Sequence, residues 1–162
     1  DGTRFPVEVH SANLLYDGQP AIVAVARDLS QRHEAEIRYR ELMESIDKGI
    51  VIQDYDGVFV FGNSAAMRIL GIDSGESLNM AMARGNWKVL HENGREMAFE
   101  DYPMVHALRS GRSVDSTVVG LYHLQRRQLL WITVTSVPQY APGSDRPSQV
   151  LSLFSDVTEL KR

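Results

Sequence analysis

The chain has 162 residues, 43% hydrophobic and 23% charged, with a net charge of −4; this suits one ordinary domain or somewhat more, with a sizeable core. The mild negative charge argues against nucleic acid as a direct partner, because such domains present a basic face. Cysteine is absent, which excludes disulfides, Cys-ligated metals and thiol chemistry, fits a reducing compartment, and leads us to expect a cytoplasmic location.

No signal-peptide pattern stands at the start. The longest apolar run, Ala21 to Ala26, is far too short to span a bilayer, so no membrane segment is expected in this stretch. "RFPVEVHS" (Arg4 to Ser11) alternates apolar and polar residues and reads as a strand. "NLLYDGQP" follows as a turn-rich loop, and a second strand ends at Asp28. The same pattern returns at the other end of the chain. Ile22, Val25, Asp28 and Ser30 align with Val150, Leu153, Asp156 and Thr158 at an offset of 128, and Arg4 to Ser11 align with Leu129 to Ser136 at 125. Two hairpins can look alike by chance, but the shared Asp followed by Ser or Thr and a charged segment argues otherwise. Residues 1–29 are therefore expected to be the last two strands of an upstream module, and residues 47–158 one complete module. An orphan hairpin of this kind needs a partner for its edges and apolar side chains.

Residues 30–46, "SQRHEAEIRYRELMESI", lack Gly and Pro and read as an amphipathic linker helix, with Ser30 as N-cap and Glu34 favouring its first turn. Ala35, Tyr39, Leu42 and Ile46 fall on one stripe. The spacing suits a parallel coiled coil between two chains, hence a homodimer; a helix laid on its own domain is the bland alternative.

"GIVIQDYDGVFVFGN" reads as two strands around an Asp-Gly turn, and Asn63 as the cap of a helix "SAAMRIL" that ends at Gly71. Residues 73–88 read as short helical turns and loops. "ENGRE" carries a turn, and "EDYPMVHALRSG" is a helix with Pro103 in its first turn and Gly111 past its end. Three strands follow: "SVDSTVVGLYH", "QLLWITVTSV" and "SQVLSLFSD". The order predicts an α+β fold, a five-stranded antiparallel sheet with short helices on one face. Alternation puts Leu130, Ile132 and Val134 toward the core and Trp131 on the outer face, where a flanking helix or second chain could cover it.

"GIVIQDYDGVFVFGNSAAMRILG" followed downstream by "LSLFSDVTELKR" resembles a PAS domain with its C-terminal Asp-Val-Thr motif, and "RDLSQRHEAE" resembles the end of a preceding one. "ENGREMAFEDYPMVHALRSGRSVD" and "LLWITVTSVP" resemble the subtype found in tandem in bacterial signalling proteins. The resemblance implies a PAS fold with a pocket between the sheet and its helices, filled in the family by haem, flavin, small organic ligands or nothing. Trp87, Tyr102, His106 and Tyr122 are the pocket-rim candidates. The Cys adduct of light-sensing flavin relatives is excluded. Non-covalent flavin does not need the thiol, yet is not expected. Haem would take His106 as axial ligand, and a lone His is usually structural, so haem is not expected either.

No spacing among His10, His33, His91, His106 and His123 makes a metal site. No nucleophile elbow, phosphate-cradling Gly loop or zincin motif is present, so no enzymatic activity is expected of this stretch. Asp156 with Thr158, and Asp28 with Ser30, are read as caps that set the angle of each outgoing helix, the second starting near Glu159. The resemblance implies a sensory and dimerisation module relaying a signal through these helices to a covalently linked output domain, a histidine kinase or diguanylate cyclase. The competing reading is a ligand-free spacer.

Overall fold

A computed structural model describes residues 2–73 and 75–162. They form two units, residues 1–45 and 46–162.

In the first unit, β1 (Val7–Tyr16) pairs antiparallel with β2 (Gln19–Asp28). The strands run on through most of the expected loop and meet at a two-residue turn, Asp17-Gly18, with φ of 51° and 76°. Positive φ at both positions matches the right-handed twist of the strands, which is why Asp-Gly closes so tight a hairpin. Val9, Ile22 and Val25 are exposed. Helix α1 (Ser30–Ser45) follows. Ser30 is its first helical residue rather than its N-cap, and Glu34 lies beyond the first turn. Of the expected stripe, Ala35, Tyr39 and Leu42 lie on α1 and are exposed, while Ile46 falls past its end.

The second unit is an antiparallel sheet in the order β4-β3-β8-β7-β6-β5, comprising β3 (Gly49–Asp54), β4 (Phe59–Gly62), β5 (Trp87–Leu90), β6 (Val114–His123), β7 (Gln128–Gln139) and β8 (Gln149–Asp156). Six strands are present where five were expected. The addition is β5, four residues that begin at the end of the stretch read as turns and loops. It is too short for its alternation to stand out and is fixed by pairing Trp87–Leu90 with His123–Gly120. Between the strands lie α2 (Ser64–Leu70), α3 (Leu78–Ala83), a 3₁₀ turn (Phe99–Asp101) and α4 (Pro103–Ser110). Val51, Val119, Ile132, Val134 and Phe154 of the sheet bury against Ala66 and Leu70 of α2 and Leu78 of α3. After Asp156, the last residue of β8, the chain enters α5 (Thr158–Lys161).

One fully buried side chain knots the start of this unit. Asn63 accepts from the amides of Ile50 and Ala66, both at 2.9 Å, and donates to the Lys48 carbonyl at 3.0 Å. A single amide thus caps α2 and fixes the entry into β3. Gly71, at φ 64°, ends the helix in the left-handed conformation a C-cap favours. Replacing Asn63 by Ala leaves two buried N–H groups without acceptors; Asn63→Ala is expected to destabilise the unit by about 3 kcal/mol, measured as a lower denaturant midpoint with unchanged slope.

Candidate functional site

The inner face of the sheet and the helices enclose an open cavity of about 510 Å³. Its sheet wall includes Val51, Val119, Ile132, Val134 and Phe154; Leu78 and Met82 of α3 and Pro103 and Met104 of α4 face them. Gly49 makes room for one wall residue, since a Cβ there would lie 2.5 Å from the Phe154 ring. Among the described residues, none of those lining the cavity is charged.

The polar groups on the wall are few, and most are already bonded. Asn79 uses its whole amide on one residue, accepting from the Phe59 amide at 2.9 Å and donating to the Phe59 carbonyl at 2.8 Å. Ser152 shares a 2.8 Å hydroxyl–hydroxyl hydrogen bond with Ser136, directly opposite across the β7–β8 pair and equally buried. Gln53 donates to the Gly57 carbonyl at 2.6 Å, but its Oε1 is buried without a partner. The Tyr102 hydroxyl takes part in none of the hydrogen bonds among the described residues, while its ring meets Phe99 edge-on at 5.4 Å. Burial, with the nearby Glu96 charge second, raises the Tyr102 pKa, so the hydroxyl keeps its proton at neutral pH.

Two of the four expected rim residues, Trp87 and Tyr102, line this cavity; His106 and Tyr122 do not. On α4, Val105, Ala107 and Leu108 are buried and His106 is exposed. Tyr122 follows the cavity-lining Leu121 along β6, so the pleat turns it to the other side. A haem held by His106 therefore does not fit. Among the described residues no group of three or more His, Asp or Glu could hold a metal. The sequence reading missed Gln53, whose lone amide in an apolar strand was its signal. Ile132 and Val134 line the cavity as alternation predicts, and Trp131 lies outside it.

That outward face of β7 is where the exit helix is fastened. Asp156, the last residue of β8, accepts from the Thr158 amide at 2.8 Å. The Thr158 hydroxyl accepts from the Trp131 amide at 3.0 Å, and the Val157 amide donates to the Trp131 carbonyl at 2.8 Å. Lys161 of α5 lies 5.7 Å from the centre of the Trp131 ring and pairs with Glu92. Ile132, next to Trp131, and Phe154, two residues before Asp156, are cavity wall. One two-stranded ribbon carries both.

The first unit repeats much of this geometry. Val7 pairs with Asp28 as Ile132 pairs with Asp156, and Asn13 with Ile22 as Pro138 with Val150, at the same offsets read from the sequence. Asp28 accepts from the Ser30 amide at 2.8 Å, and the Leu29 amide donates to the Pro6 carbonyl at 3.0 Å.

Residues 37–102 match the family model described as PAS domain. The chain contains a PAS domain. Solved structures similar to it include the PAS domain of a protein from Colwellia psychrerythraea, 16% identical over 77% of this chain and 98% of that one, at TM-score 0.53. The PAS domain of nitrogen regulation protein NR(II) from Vibrio parahaemolyticus is 14% identical over 73% and 96%, at TM-score 0.52. An RNA-binding Light-Oxygen-Voltage receptor is 16% identical over 98% of this chain and 41% of its own, at TM-score 0.57. At these identities the likeness concerns the fold. No curated protein matches in sequence. Among the described residues of this PAS-containing chain, no helix is long and apolar enough to cross a membrane.

Ser30, by hydroxyl and by amide, holds the Asp28 carboxyl below its ordinary pKa. The folded value lies under the unfolded one, so the support given to the start of α1 is complete above the ordinary aspartate pKa and is lost as pH falls through the lowered one. An NMR titration of the Asp28 side-chain carbon should give a midpoint below the usual aspartate range, and Ser30→Ala should move it upward; equal midpoints would remove the cap.

Proposed function

We infer that this chain is a sensory and dimerising segment of a cytoplasmic signalling protein, in which the state of the PAS cavity is relayed along β7 and β8 to the exit helix. The observation that carries this reading is the shared ribbon: Ile132 and Phe154 line the cavity while Trp131 and Asp156 hold α5. A change that shifts the ribbon must move the helix start, because three hydrogen bonds join them. The open cavity favours sensing over a spacer packed shut by its own side chains. A covalently linked output domain, a histidine kinase or diguanylate cyclase, receives the motion. The catalysis belongs to that domain. On this reading the β1–β2 hairpin ends an upstream module of the same kind, whose exposed valines and isoleucine its own sheet would cover.

The absence of cysteine in the native chain makes a spin label at Glu159→Cys unique. Filling the cavity with Leu121→Trp, or with Val119→Phe as a milder variant, should change the mobility of that label. Adding Thr158→Val should abolish the change. A label indifferent to both fillings in variants with native circular dichroism overturns the relay.

Dimerisation is assigned to α1, where Tyr39 and Leu42 are 53% and 59% exposed. Sedimentation should show a dimer that Leu42→Glu converts to monomer, since a charge at such a seam is buried without a partner. A monomeric parent chain removes the dimer from the reading.

A further inference from the structure

We propose that the cavity takes an uncharged, mostly apolar molecule of one or two rings bearing a hydrogen-bonding group such as a hydroxyl. This rests on the sensory reading above and names the chemical class of its ligand.

Size comes first. About 510 Å³ lies within the range of small-molecule pockets and is ample for two fused rings. Shape and polarisability come next: Phe59, Trp87, Phe99, Tyr102 and Phe154 all contribute to the lining. Aromatic walls favour flat ligands through stacked and edge-to-face contacts.

Charge is excluded by the wall itself. No Lys, Arg, His, Asp or Glu lines the cavity among the described residues. A carboxylate, sulfonate or ammonium drawn inside would lose its hydration and meet no counter-charge. The bonded polar groups offer little, because Asn79 is held by Phe59 and Ser152 by Ser136. The Tyr102 hydroxyl remains among the donors of the wall. Gln53 Oε1 also lacks a partner, but it is buried out of reach of solvent in the cavity. A ligand hydroxyl can accept from Tyr102.

Three probes on one skeleton separate these terms: 2-naphthol, naphthalene and naphthalene-2-sulfonate, titrated by fluorescence against the whole chain at neutral pH. 2-Naphthol should bind saturably at one site per PAS domain, and the sulfonate at least about tenfold more weakly. Tyr102→Phe should weaken 2-naphthol about fivefold while leaving naphthalene binding unchanged, which also shows that the variant is folded. Sulfonate binding as tight as 2-naphthol, indifference to Tyr102→Phe, or no saturable binding of any probe overturns the proposal. If no probe binds yet cavity filling still moves the label at position 159, the ligand class fails and the relay survives. If 2-naphthol binds but the label is unmoved, the relay fails and the ligand class survives.

Discussion

The hydrogen bond from the Trp131 amide to the Thr158 hydroxyl joins the wall of the cavity to the helix that leaves the sheet. On its inner side the β7–β8 ribbon presents Ile132, Val134 and Phe154 to an apolar space. On its outer side and at its end it presents Trp131 and Asp156 to α5. An antiparallel pair is stiff along its length, because every second residue pair exchanges two backbone hydrogen bonds. The buried Ser136–Ser152 pair adds a further tie in the middle of this ribbon. A displacement at the wall therefore has a short mechanical path, along the main chain of the ribbon and through the Thr158 and Asp156 side chains, to the exit helix.

The comparison of the two hairpins shows what distinguishes this exit from its counterpart in the first unit. Both strands end in an Asp that accepts from the amide two residues on, and both helices begin with a hydroxyl residue. Both have an amide-to-carbonyl bond from the residue between, to Pro6 in one and to Trp131 in the other. The next bond differs. Trp131 has an amide hydrogen to give to Thr158, whereas Pro6 has none to give to Ser30. The Ser30 hydroxyl turns instead to Asp28 and stabilises its carboxylate. The start of α1 is thus held by Asp28 and by one bond to Pro6, and the start of α5 by Asp156 and by two bonds to Trp131.

Much of this was legible in the sequence because it rests on local chemistry. Asn63 as a cap, Gly71 and Gly111 as C-caps, Pro103 at the head of α4 and the inward face of β7 all follow from rules that act over a few residues. The repeat offsets of 125 and 128 read from the sequence recur in the pairing of the two hairpins. What was hidden depends on distant partners. β5 exists because Trp87–Leu90 finds the edge of β6, and His106 lies outside the cavity because Val105, Ala107 and Leu108 claim the buried face of α4. Tyr122 was misplaced by one step of the pleat, which only the position of Leu121 resolves. Gln53 passed unnoticed because a single polar residue in a strand reads as an exposed one until its oxygen is found buried.

Amide hydrogen exchange at Trp131 in the parent chain and in Thr158→Val addresses the joint most directly. If the Thr158 hydroxyl fastens the exit helix to the cavity wall, the valine variant exchanges faster at Trp131 and through 157–161. Protection at Val134 and Phe154, deeper in the same ribbon, stays as it was. Equal protection at Trp131 in the two proteins would mean that the joint is held by something else, and the path from cavity to helix would have to be drawn elsewhere.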